Sequence, residues 1–189
     1  MILPRNFYNR PTLKVARQLI GARLVRVSNG KKLVGLITET EAYISQDDLA
    51  CHAKSGLTER TRVMFGPPGH AYVYFTYGHH WMLNVVTEQD GFPAAVLIRA
   101  IQPLEGATTM ARRRSGGDTF GPGKLTQALG ITKRENGADL TRRTSGLWIE
   151  TGQTVPDSAV TIGPRVGLNN TPEPWLSKPW RFLVKGWKI

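Results

Sequence analysis

Residues 22–43, ARLVRVSNGKKLVGLITETEAY, read as two β-rich runs, 22–27 and 33–43, separated by Ser28-Asn29-Gly30. Asn-Gly between apolar runs is a strong hairpin signal, because both central residues of a two-residue turn need positive φ. A chain that folds back on itself here starts an antiparallel sheet. Strand geometry then sets Glu39, Glu41 and Tyr43 on one face of the second run, and Thr38, Thr40 and Ala42 on the other. Two carboxylates and a phenol do not suit a core, since an unpaired buried charge is costly. Two readings stand: a face that meets solvent at a sheet edge, or an active-site strand.

Outward from this hairpin the pattern continues. Thr12 is placed to cap a short helix with Leu13, Ala16, Leu19 and Ile20 along one side and Gly21 at its end. Residues 44–68 are irregular, polar and glycine-containing, a length that in a compact domain usually serves function. Strands resume at 71–76, 82–88 and 94–101, the first two joined through Tyr77-Gly78. Helices are expected at 107–114 and 124–129, and returning strands at 147–150, 160–163 and 181–184. Antiparallel hairpins without repeated strand-helix alternation favour a mixed α+β or mainly β fold over a doubly wound one.

The 189 residues suffice for one domain with a substantial core. Lys and Arg number 25 against 14 Asp and Glu, a formal charge of +11. Such a charge makes nucleic acid the leading partner, because neutralised phosphates release counterions. Anionic membranes and ribosomes are the other polyanions that fit. Cys51 is the single cysteine, so no internal disulfide forms, and no Cys/His spacing matches a structural zinc site. No signal-peptide core is visible, and nothing approaches the run of about 18 apolar residues that spans a bilayer. The chain is expected to be soluble and cytoplasmic, associated with the nucleoid, or nuclear in a eukaryote.

Several residues can carry chemistry. Tyr72 and Tyr74 share a strand face, either as sheet packing or as a stacking surface, and Tyr77 falls at the turn, where an aromatic ring can wedge between base steps. Of His52, His70, His79 and His80, His52 stands out for its place in the irregular stretch. Gly121-Pro122-Gly123-Lys124 offers exposed backbone and a lysine at a helix start, which suits a phosphate. Basic residues crowd the later half, among them Arg112, Arg113, Arg114, Arg165, Lys185 and Lys188. Gly123, Lys124 and Arg165 are the candidates for contact with a nucleic-acid backbone.

Taken in order, Glu39-Thr40-Glu41-Ala42-Tyr43, His52, Met64-Phe65, Gly69, Tyr72-Val73-Tyr74, Tyr77-Gly78, Asn84 and Leu97-Ile98-Arg99-Ala100 resemble the alkyladenine DNA glycosylase family, also called the 3-methyladenine or methylpurine DNA glycosylases. The likeness runs on through Pro103-Leu104-Glu105-Gly106, Gly121 to Leu125, Pro164-Arg165-Val166-Gly167 and Lys178-Pro179. It spans nearly the whole chain, and the ordered set is far more specific than any one motif.

The resemblance implies a monomeric, monofunctional enzyme without metal or other cofactor that cleaves the N-glycosidic bond of damaged purines in double-stranded DNA. The lesions in view are 3-methyladenine, 7-methylguanine, hypoxanthine and ethenoadenine. The damaged nucleotide would be flipped out and Tyr77 would take its place in the stack. Glu41 would be the general base; Tyr43, His52 and Tyr74 the pocket walls; Asn84 its floor, disfavouring the amino group of guanine. Arg99 would fix water and Glu41 near the sugar. The implied fold is a single α+β domain, residues 1–189, with a curved antiparallel sheet, flanking short helices and a protruding β-hairpin.

Two other accounts remain at this point. A lyase needs an amine nucleophile, and Lys54 is the nearest lysine to the Glu41 and Tyr74 segments. A non-catalytic nucleic-acid-binding domain explains the charge and the tyrosines but leaves Glu41 without a task.

Overall fold

Strands β1 (Arg23–Ser28) and β2 (Lys31–Ile44) form the expected hairpin, with Asn29 and Gly30 at φ of 51° and 70°. These values belong to a computed structural model that describes residues 1–76, 78–168 and 170–186. At 14 residues, β2 is the spine of the molecule. Along one edge it pairs first with β1, from Lys31 to Leu36; along the other it pairs with β5 (Ala94–Glu105). Beyond β1, Glu39 to Glu41 pair with β8 (Arg181–Val184). With partners on both edges, β2 is interior, and the reading of its acidic face as a solvent-facing sheet edge is corrected: Glu39 and Glu41 are 4% and 0% exposed.

The remaining strands are β3 (Ala71–Thr76), β4 (His80–Val86), β6 (Leu147–Glu150) and β7 (Val160–Gly163). The order is β3-β4-β5-β2-β1-β6, with β8 beside β2 and β7 beside β8, and all the pairings are antiparallel. This is the α+β class that the hairpin signals predicted. β4 pairs with β5 only over Asn84–Val86, while β3 and β4 stay paired out to Thr76 and His80. The tip of that hairpin therefore projects past the sheet. Tyr77, the expected wedge, lies outside the described residues, as does Lys188.

Among the described residues, the short helix α1 (Arg5–Tyr8) packs against α2 (Thr12–Leu19), and α2, α3 (Ala107–Arg113) and α4 (Pro122–Leu129) pack on the sheet. Thr12 is the first helical residue rather than the cap; its backbone N–H and hydroxyl both donate to Glu88 Oε1, at 2.6 and 2.8 Å. A carboxylate from another segment thus does the capping, with the helix dipole in its favour. α4 begins two residues earlier than expected because Pro122, with its fixed φ and no N–H, suits the first helical turn. Leu125 and Leu129 are fully buried beneath the sheet, and each contributes roughly 1.5–3 kcal/mol.

The two faces of β2 to β5 have different uses. Ala42, Val73, Leu83, Val85, Val96 and Ile98 point into the main core against the helices. Thr40 ties this face down by donating to the Ala16 carbonyl of α2 at 2.9 Å. The opposite face carries Glu39, Glu41, Tyr43, Tyr72, Tyr74, Asn84 and Leu97, in register across four strands. The pairing slips twice beside Glu39, so that Thr38 and Arg99 each lack an opposite residue. Such bulges re-aim side chains, and here Arg99 is turned onto the two glutamates.

Candidate active site

On this second face lies a cavity of about 330 Å³, the lower end of the range for small-molecule sites. Tyr43, Tyr72 and Tyr74 come from the sheet, Cys51 and His52 from the irregular stretch, and Val166 to Leu168 from the loop before the last strand. Asn84 and Met82 lie between them on β4. Tyr43, His52, Tyr74, Asn84 and Arg99, all read from the sequence, therefore meet around one space.

The aromatic side is a connected unit. The His52 ring stands edge-on to Tyr74 at a centroid distance of 4.4 Å, and Tyr72 lies 5.3 Å from Tyr74. Arg60 Nη2 reaches His52 Nε2 at 3.4 Å, while His52 Nδ1 lies 3.0 Å from the Tyr72 hydroxyl. Arg60 can only donate, so Nε2 accepts and the single ring proton sits on Nδ1, donating to Tyr72. Burial, aided by Arg60 and Lys54, lowers the His52 pKa to about 4, so the ring is neutral near pH 7. Cys51 is equally inert: burial pushes its thiol up to about 12.

Glu41 lies directly behind this wall. It is wholly buried, and its neighbours Tyr43, Arg99 and Val166 line the cavity in front of it. Oε1 accepts the Val166 backbone N–H at 2.7 Å, and Oε2 accepts the Tyr43 hydroxyl at 2.9 Å and Arg99 Nη1 at 3.4 Å. Burial raises the carboxyl pKa above its ordinary value; Arg99, the Val166 N–H and Tyr43 oppose the rise without cancelling it, and Glu39 adds to it. Glu39 holds the arginines in place, accepting Arg99 Nε at 3.0 Å and Arg181 Nη1 at 3.2 Å.

The three backbone-binding candidates part company. Lys124 is half exposed at the start of α4, 3.0 Å from Asp118. Gly123 is buried beneath His80, whose ring carbon lies 2.6 Å from where a Cβ would stand, so only glycine fits. Arg165 is not a surface cation, and its assignment to DNA is corrected. Its side chain is 0% exposed and both terminal nitrogens bond Asp48, at 2.5 and 2.9 Å.

Tyr72, read from the sequence as a face-mate of Tyr74, was not assigned to the pocket, and the Val166 N–H escaped the sequence reading. The parity of Tyr72 with Tyr74 was a usable signal. A backbone donor leaves no trace in residue type. Among the described residues, no group of three or more His, Cys, Asp and Glu is placed to hold a metal, and no helix is long and apolar enough to cross a membrane.

Comparison with known proteins shows what the chain as a whole is similar to. A sequence model described as methylpurine-DNA glycosylase (MPG) matches residues 6–188. A protein of Myxococcus xanthus (strain DK1622) is 50% identical over 183 residues, covering 97% of this chain and 90% of its own. One from Methanocella arvoryzae (strain DSM 22066 / NBRC 105507 / MRE50) is 49% identical over 189 residues, covering 97% and 92%. One from Carboxydothermus hydrogenoformans (strain ATCC BAA-161 / DSM 6008 / Z-2901) is 47% identical over 189 residues, covering 98% and 96%. All three carry the name "Putative 3-methyladenine DNA glycosylase". The class is thus that of the DNA glycosylases, hydrolases of DNA repair that act on alkylated purines. Within it, the chain belongs to the methylpurine-DNA glycosylase family.

Proposed function

We propose that the chain acts alone, as a monomer and a single catalytic domain, to hydrolyse the N-glycosidic bond of 3-methyladenine and related alkylpurines flipped out of duplex DNA. The observation that carries this reading is the double use of Tyr43: its ring walls the cavity while its hydroxyl donates to Glu41. A base stacked on Tyr43 has its sugar bond near the buried carboxylate.

Flipping costs a few kcal/mol, least for damaged or badly paired bases. Stacking on aromatic rings returns about 1–3 kcal/mol per base. Tyr77, the wedge that the family resemblance implies, would fill the gap. A purine alkylated at N3 or N7 is already cationic, so its departure needs little protonation. The difficult step is water attack at C1′ as positive charge builds on the sugar.

Glu41 serves both needs, opposing that charge and taking the proton from water. Its contact with Arg99 Nη1, at 3.4 Å, is the loosest of those at Oε2, and there a water competes most easily for the oxygen. A raised pKa suits a base that must accept a proton near neutral pH. Glu39 is not available as a second acid, since it is committed to Arg99 and Arg181. Leaving groups that are already cationic are therefore favoured over neutral hypoxanthine or ethenoadenine.

The test is chromatography of bases released by the purified chain from methylated duplex DNA. Free 3-methyladenine, with no covalent DNA adduct trapped by borohydride, is expected. Release of no base would overturn the reading, and a trapped adduct would overturn its hydrolytic, lyase-free form.

A further inference from the structure

We propose that the buried Asp48–Arg165 pair is a positioning device for base excision, setting the cavity wall and the Glu41 carboxylate together. This rests on the function proposed above.

Arg165 ties together β2, the turn at Asp48 and the segment before β8 on the acid side of the cavity. Its Nη1 donates to the Ala42 carbonyl at 3.0 Å and its Nη2 to the Trp175 carbonyl at 3.2 Å, in addition to the paired bonds to Asp48. The flat guanidinium lies between the rings of Tyr43 and Trp180, 4.7 and 4.9 Å from their centroids. Trp180 is itself fixed, its carbonyl accepting the Ala42 N–H at 2.9 Å. The Tyr43 ring is thus backed by a rigid plane rather than by flexible apolar side chains.

Asp48 carries the effect to the other side. Its carboxylate accepts the Ala50 N–H at 3.0 Å and its carbonyl accepts the Cys51 N–H at 2.8 Å, which shapes the turn that delivers Cys51 and His52 to the cavity. Arg165 also immediately precedes Val166, whose N–H holds Glu41 Oε1. One ion pair therefore locks the stacking ring, the turn before His52 and a hydrogen bond to the acid.

A buried pair of this kind contributes little net stability compared with apolar packing of the same shape. Its use here is geometric. The bidentate bond and the planar stack both require arginine, and lysine supplies neither.

The experiment compares Arg165→Lys with the wild type. Lysine keeps the charge beside Asp48, and thermal melting establishes that the variant folds. Single-turnover base release from methylated duplex DNA should fall about tenfold or more, since a displacement near 1 Å at a reacting centre is enough for that. Affinity for the same DNA should stay within about twofold, because the group is sealed from solvent.

The acid limb of the rate profile should move to higher pH. Glu41 is faced by Tyr43 and Glu39 on β2, by Arg99 from β5, and by the Val166 N–H, with Arg181 of β8 reaching Glu39. Loosening residues 165–166 removes one donor that favours the ionised carboxylate. A purely structural role would not move that limb.

Unchanged rate and pH profile in folded Arg165→Lys would overturn the inference alone, provided the wild type releases base. If Arg165→Lys does not fold, Trp180→Leu, which removes only the outer ring of the sandwich, decides: slower release at unchanged affinity supports the inference, and unchanged release overturns it. A wild type that releases no methylated base would sink the reading of the site, and this inference with it.

Discussion

The hydroxyl of Tyr43 donates to Glu41 Oε2 across 2.9 Å, and the two residues share a face of β2 two positions apart. A strand repeats its facing every second residue, so no loop or hinge intervenes between the stacking ring and the acid. In the proposed reaction, placement of the base and activation of water are therefore mechanically one feature.

Tyr43→Phe keeps the ring and removes this bond. The Glu41 carboxylate loses a donor that favours its ionised form, so the acid limb of the excision profile should rise. Base release in single turnover at neutral pH should slow about tenfold, a barrier change near 1.4 kcal/mol. An equal rate and profile would separate the ring from the acid.

The fold was legible because its signals are local. Asn29-Gly30 dictates the β1–β2 hairpin, and the runs at 147–150, 160–163 and 181–184 became β6, β7 and β8 with the same bounds. At the site, parity correctly put Glu39, Glu41 and Tyr43 on one face. What could not be read was the environment of each charge. Arg165 and Lys124 are both cations beside glycine and proline in sequence, yet one is sealed between two rings and the other half exposed. Only the fold brings Asp48 across 117 positions to Arg165. The bulges that turn Arg99 inward depend likewise on strand pairing.

His52 predicts a pH dependence of stability. Its pKa falls from 6.5 to about 4 in the folded chain, so between those values the unfolded chain binds more protons. Stability should therefore rise with pH through that window and be lost as pH drops toward 4. The ring is partly exposed, so we expect a loss of about 2 kcal/mol, below the limit that the full shift sets. Denaturant melts of wild type and His52→Gln across this range check it, and the variant should lack this component. Parallel curves would mean that the imidazole titrates normally.

Lys124→Ala should weaken binding to methylated and undamaged duplexes alike. The slope of log affinity against log salt should flatten by about one ion at most, less to the extent that Asp118 already neutralises the lysine. Binding titrations at several salt concentrations measure both. A loss confined to methylated DNA would place Lys124 in lesion recognition instead.

The most direct test of the account is base release by Glu41→Gln, an isosteric change that keeps the acceptor for the Val166 N–H and abolishes the base. With excess protein over methylated duplex DNA, the variant should bind as the wild type does and release 3-methyladenine at least about 100-fold more slowly, the lower end of what a general base supplies. Release at the wild-type rate by a folded Glu41→Gln chain would contradict the assignment of the chemistry to this carboxylate.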